Sequence, residues 1–458
     1  MWPSGSWTSA AAWSSGWAAG CTGWTATSSC SRRSAWRSRG SPRRAYLNRR
    51  KAVRAERFAA HGRAYGPLMT VISSVPTAPS PSGAARPARP LVGELRLDAF
   101  ASHRRTVIPL GPLTLLAGGS GTGKSTALRG YEALARLAAG DPLEDVFPEP
   151  GAWVPERAEA DAQGRRGFRL GCTVEGPAGP VRLDLAVQAE PALRIVGERL
   201  TGGGETLLAT ALRDPRRPHV QAAWHTAGAV PVTRAPLPDD RLGTALLPLR
   251  VAGTTAGQLR VLAAAEQVVV ALRSAFVCDP RPWRMRAAVP VGEGQLTSSC
   301  DNLADVLHRT RGLCAQRHAR LVAAADTGCA GPVTGLTAER LRDGTVRALA
   351  GRGPGRSTPL GRLGDGELRY LAHALVLLTG PQVLGVDPAV EVPDAMQALT
   401  VLADGLDRDL DARQTRALLA LAASVCADGH VRLLGTVGEA AAATARGTAG
   451  TTVVDLGP

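Results

Sequence analysis

The segment LTLLAGGSGTGKST, residues 113–126, limits the fold more than any other part of the chain. An apolar run of strand length leads into Gly118, Gly119, Gly121 and Gly123, and a Lys-Ser-Thr triplet opens the helical pattern TALRGYEALARLAA (126–139). Strand, glycine-rich turn and helix, in that order, predict a β-α unit whose strand lies buried in a sheet. Gly118-x4-Gly123-Lys124-Ser125 fits GxxxxGK[ST] at every fixed position. The chemistry explains each residue type. Backbone N–H groups converge on a phosphate only if the loop curls tightly, and glycine allows the curl and leaves no Cβ in the way. The first turn of the following helix adds free N–H donors and the positive end of its dipole. Nucleotide binding is therefore expected at Gly118, Gly119, Ser120, Gly121, Thr122, Gly123, Lys124, Ser125 and Thr126, with ATP and Mg²⁺ as the ligands and Ser125 as a metal contact.

Composition sharpens the reading of Lys124. Of 54 Lys and Arg residues only two are Lys, Lys51 and Lys124. Where Arg serves nearly everywhere as the generic cation, a Lys inside the loop marks a constraint. A compact ammonium fits between β- and γ-phosphate oxygens, whereas the broad guanidinium fork would crowd them.

The formal charge of +15 is unevenly placed. Residues 1–68 hold twelve basic residues against Glu56 alone, so they carry +11 and leave +4 for the other 390 residues. A basic footprint implies a nucleic-acid partner when it lies on a folded face, and here most of it belongs to this leader. The leader also carries six of the nine Trp and shows neither helical nor alternating periodicity. It reads as a low-complexity, disordered segment, or as the product of a start codon upstream of the true one near Met69. Residues 69–90 read as a disordered linker rich in Pro, Ser and Ala. Eight scattered Cys without any CxxC, and no run of eighteen apolar residues, predict free thiols in the cytoplasm and no membrane span.

A chain of 458 residues suffices for two or three domains, or for one large α/β domain with an insertion. Strands are expected at 95–100, 105–110 and 113–118, and an antiparallel meander at 167–176, 180–189 and 193–200. Helices are expected at 256–276, at 298–328 with Asp301 or Asn302 as cap, at 368–380 and at 415–429. QVLGVDP (382–388) and HVRLLGTV (430–437) read as buried strands, 141–165 and 351–361 as loops, and 201–250 has no clear pattern.

Two distant segments carry a family resemblance. LGDGE (Leu363, Gly364, Asp365, Gly366, Glu367) resembles the LSGGQ signature loop of ABC-type ATPases, and Asp387 follows Leu363 by 24 residues at the end of an apolar run, a spacing similar to that from signature to Walker B in that superfamily. On its own, Gly364-Asp365-Gly366 also serves as a helix cap. LRLDAF…LGPLTLLAGGSGTGKST, CDNLADVL (300–307) and LGDGELRYLAHAL further resemble SMC/RecF-like predicted ATPases over residues 91–440. The resemblance implies an α/β P-loop NTPase fold of the ABC-ATPase type, with a mixed β-sheet and a large α+β insertion between Walker A and the signature helix. Its parts would be a first nucleotide-binding lobe at 91–140, an insertion or arm at 141–350, and a signature and Walker B lobe at 351–458. It also implies a homodimer with ATP sandwiched between subunits, with Mg²⁺ held by Ser125 and Asp387, and by family alone a DNA partner.

The family pattern is incomplete. Pro388 stands where a catalytic Glu would follow Asp387, and in LLGTV the Thr of a Thr-His pair is matched by Thr436 while Val437 replaces the switch His. Glu391 and Glu439 are the nearby carboxylates, and Asp394 falls at the D-loop position. Slow or absent hydrolysis is expected. The rival readings are a non-catalytic nucleotide-binding scaffold and a P-loop kinase acting on a small molecule.

Overall fold

The computed structural model describes residues 89–226, 232–292, 295–386 and 397–457. The leader, the linker up to residue 88, Asp387, Pro388, Glu391 and Asp394 lie outside the described residues.

The fold is α/β, with antiparallel and parallel sheets stacked through helices. The first sheet has eight strands: β1 Leu91–Asp98, β2 Thr106–Pro109, β4 Arg166–Glu175, β5 Val181–Glu190, β6 Arg194–Gly202, β7 Glu205–Ala211, β8 His219–His225 and β9 Val232–Pro238. Their order is β2-β1-β4-β5-β6-β7-β8-β9, and every pairing is antiparallel. The expected three-stranded meander is thus the centre of a wider sheet. The three further strands fall in the region without clear pattern; β8 does alternate in burial, but its inward positions are a Val, an Ala and a Trp, a weak apolar signal.

The second sheet is parallel and places the glycine loop. It consists of β3 Leu113–Ala117, β10 Ala275–Cys278, β15 Leu399–Ala403, β16 Val431–Thr436 and β17 Thr451–Asp455, in the order β10-β15-β16-β3-β17. All its pairings are parallel, so its five carboxyl ends share one edge. Both faces are covered, and every residue of β3, β15 and β16 is buried. Leu116, Leu402 and Leu434 face α1 (Lys124–Ala138), α2 (Ala256–Arg273) and the antiparallel sheet behind them. Leu115, Val401 and Leu433 face a second core with α3 (Leu303–Thr310), α4 (Ala315–Gly328), α5 (Asp365–Leu377), α6 (Ala412–Ala427) and α7 (Glu439–Arg446). A small antiparallel sheet of β11 Val289–Pro290, β12 Gly335–Arg340, β13 Thr345–Gly351 and β14 Ser357–Pro359 flanks α3.

Several expectations are corrected. Residues 382–386 form turns with one isolated bridge, Leu384 to Leu296, and no strand. Pro381 and Gly385 interrupt that run, while β15 just downstream, with β-branched Thr400 and Val401, takes the place between β10 and β16. The helix expected over 298–328 is two, broken at Gly312; Asn302 stands at the cap position of α3, but its side chain accepts from Thr297 N (3.0 Å) instead of capping. Within the 141–350 segment, β4 pairs with β1, and β10 is the edge strand of the parallel sheet. The loop expected at 351–361 contains β14.

Candidate functional site

The site is built at the carboxyl edge of the parallel sheet. β3 ends at Ala117, and the chain turns through residues 118–123 before α1 begins at Lys124. Gly118 (φ 138°), Gly121 (φ 86°) and Gly123 (φ 92°) adopt the left-handed conformations that glycine permits. Two of them also have no room for a side chain. A Cβ on Gly118 would lie 2.5 Å from Leu456 O, and one on Gly123 would lie 2.6 Å from Ser102 Oγ and 2.8 Å from His103 Nε2. α1 starts without a side-chain cap, so the N–H groups of its first turn have no side-chain acceptor at the loop.

Lys124 folds back across the loop. Its Nζ donates to Gly118 O at 2.5 Å and Gly119 O at 2.7 Å. The Ser125 hydroxyl donates to Asp404 Oδ1 at 2.9 Å. Asp404 follows β15 directly, and its Oδ1 also accepts from Thr436 Oγ1 at 2.7 Å, while Thr436 Oγ1 accepts from Gly405 N at 2.7 Å. Three strand ends thus converge: the start of α1, just past the β3 loop, supplies Ser125, the residue after β15 the carboxylate and the end of β16 the threonine. A hydroxyl and a carboxylate oxygen side by side form the hard-oxygen donor set that Mg²⁺ prefers, so Ser125 and Asp404 fit that metal.

The sequence motifs name the loop and Thr436 but not Asp404, which the structure places beside them. The signal was present in ALTVLADG (398–405), an apolar run ending in Asp-Gly and followed by α6 and β16, a β-α-β unit. Gly405 follows Asp404 and offers no proton acceptor, and Val437 follows Thr436. Asp407 accepts from Gly438 N at 3.0 Å, and Glu439 opens α7.

His103 was also missed. It lies on the turn between β1 and β2, is 4 % exposed, and its Nε2 is 2.9 Å from Gly123 O. A carbonyl can only accept, so Nε2 carries the hydrogen and Nδ1 (3.2 Å) accepts from Thr106 Oγ1 in the neutral ring. Burial lowers the imidazole pKa, and the bond to Gly123 opposes that in part. The turn contains three non-glycine residues at positive φ, Ala99 (51°), Ala101 (49°) and Arg105 (50°). Backbone strain of this kind persists only where surrounding structure enforces it, and here the turn is pressed against the amino end of α1.

The LGDGE residues begin α5. Gly364 is the cap, and Glu367 accepts from Gly364 N and from Ala330 N, each at 2.8 Å. A Cβ on Gly366 would collide with Asp409 O. Asp365 is ion-paired with Arg286, and Leu363 is buried. Within one copy of the chain these residues fasten a helix start. Further along α5, Arg369 (2 % exposed) donates to Pro280 O at 2.6 Å and Gly405 O at 3.2 Å, tying the helix to the loops after β10 and β15. Burial lowers its pKa.

No group of three or more His, Cys, Asp or Glu among the described residues is arranged to hold a metal by itself. Among them, no helix is long and apolar enough to cross a membrane.

No protein-family model and no curated protein matches the sequence. Among solved structures the chain is similar to an SMC head bound to the C-winged helix domain of ScpA (11 % identity, TM-score 0.41, 76 % of this chain and 90 % of that one). It is similar to the SMC head domain of Thermotoga maritima (13 %, 0.38, 77 % and 90 %). It is also similar to the SMC head of Pyrococcus furiosus, with extended coiled coil, bound to the C-terminal domain of ScpA (11 %, 0.40, 78 % and 92 %). With identity and TM-score this low, the site stands on its own geometry.

Proposed function

We propose that this chain is an ATP-binding protein of the ABC/SMC-like kind, acting in the cytoplasm as a switch that pairs two copies when ATP and Mg²⁺ are bound. The observation that carries the reading is the junction of Lys124, Ser125 and Asp404 at the mouth of a glycine loop, between β3, α1 and β15. The triphosphate would lie in residues 118–126, accepting hydrogen bonds from the loop amides and the first turn of α1. Lys124 would exchange two carbonyl oxygens for β- and γ-phosphate oxygens, which bind a cation more strongly. Mg²⁺ would take the Ser125 hydroxyl and the Asp404 carboxylate, directly or through water.

Hydrolysis would be slow, because neither Gly405 nor Val437 can hold or move a proton for an attacking water. The exposed Gly364 and Asp365 at the start of α5 would meet the γ-phosphate of a second copy. Free Cys172, Cys278, Cys300, Cys314, Cys329 and Cys426 agree with a reducing compartment. Sedimentation velocity on the full chain tests the switch. Adding ATP and Mg²⁺ should convert a monomer boundary to a dimer boundary, and removing Mg²⁺ should reverse it. A boundary indifferent to nucleotide would favour the scaffold reading.

A further inference from the structure

Beside the start of α5, and separate from the glycine loop, lies an open cavity of about 350 Å³. Its floor is apolar, formed by the buried residues Met285, Leu303, Ala304, Ala348 and Leu360. Its charged lining is cationic: Arg286, Arg347 and Arg362 reach it, and no carboxylate lines it among the described residues. Two of these guanidinium groups are already engaged. Arg286 donates to Gly361 O (2.6 Å) and Leu363 O (2.9 Å) and pairs with Asp365, while Arg347 pairs with Glu339. Arg362 is exposed and has no partner among the described residues. Size, apolar floor and a few convergent polar groups are what a small-molecule site requires.

We propose that this cavity binds a small anion with an apolar body, such as an aromatic or acyl carboxylate or sulfonate. The body covers Leu303, Ala348 and Leu360, and the anionic end accepts from Arg362. Charge complementarity favours this class: the anionic end gains a charge-assisted hydrogen bond from Arg362 that a neutral apolar molecule cannot make, and an inorganic anion leaves the floor wet. None of its lining residues belongs to the glycine loop, so the proposal does not rest on ATP binding at residues 118–126.

Fluorescence titration of the full chain with 1-anilinonaphthalene-8-sulfonate tests it, with uncharged N-phenyl-1-naphthylamine as the matched probe. One sulfonate should bind per chain, and Arg362→Glu should weaken it about tenfold while leaving the uncharged probe unchanged. Ala348→Trp, which fills the floor, should abolish binding of both while circular dichroism shows a folded protein. Equal sulfonate affinity in wild type and Arg362→Glu would overturn the proposal, as would a folded Ala348→Trp that still binds the dye. Arg362 is on the surface, so the charge-reversal result decides the matter by itself if the tryptophan variant does not fold.

Discussion

Lys124 makes two hydrogen bonds to main-chain carbonyls that a bound triphosphate would replace, and Ser125 makes one to Asp404 that a metal would replace. The loop is therefore held in shape by the same groups that would grip the ligand. Asp404→Asn should remove most of the Mg²⁺ enhancement of ATP affinity, about tenfold or more; paired equilibrium titrations with and without Mg²⁺ read the loss. His103 gives a second residue-scale expectation. Its folded pKa is lowered, so below the ordinary value of 6.5 the unfolded chain takes up a proton that the folded chain resists. Stability should fall as pH drops from about 6.5 toward the lowered folded value. His103→Gln should remove that limb of the profile, which denaturant melts between pH 5 and 7 would measure.

Among the elements, those with strong periodicity were legible and those set by tertiary contacts were not. α1, α2, α5 and α6 follow their apolar spacing. β15 was missed because a five-residue apolar run cannot be ranked against QVLGV next to it without the sheet that selects one. That sheet needs a strand between β10 and β16, and the run interrupted by Pro381 and Gly385 does not fill the place. The small residues at helix contacts have a similar origin. A Cβ on Gly130 of α1 would lie 2.6 Å from Leu97 Cδ2, where β1 and α1 meet with no spare volume. Gly130→Val should destabilise the fold by about 1–3 kcal/mol, measured by urea denaturation. Gly328 ends α4 flat against the Tyr370 ring of α5, and Gly328→Ala should cost at least as much, because the buried ring has nowhere to move.

At the scale of the whole molecule, one sheet edge gathers the chemistry. The loop after β3, Asp404 after β15, Thr436 on β16 and Pro280 after β10 all lie at carboxyl ends of parallel strands, and Arg369 joins two of these loops to α5. A parallel sheet with crossover helices places ligands at this edge because the helix amino ends and strand carboxyl ends meet there. The motif near residue 120 therefore made the position of the candidate site legible, while its second half waited on the strand order. The same edge lacks a carboxylate directly after Asp404 and a histidine after Thr436, so turnover of ATP should stay below about one per second, in a phosphate-release assay. The most direct measurement of the central claim is a calorimetric titration of the intact protein with ATP and Mg²⁺. Wild type should take up one nucleotide per chain and Lys124→Ala should lose roughly 100-fold in affinity. Equal affinity in the two proteins, or no heat from the wild type at millimolar ATP, would contradict the assignment of residues 118–126 as the nucleotide site.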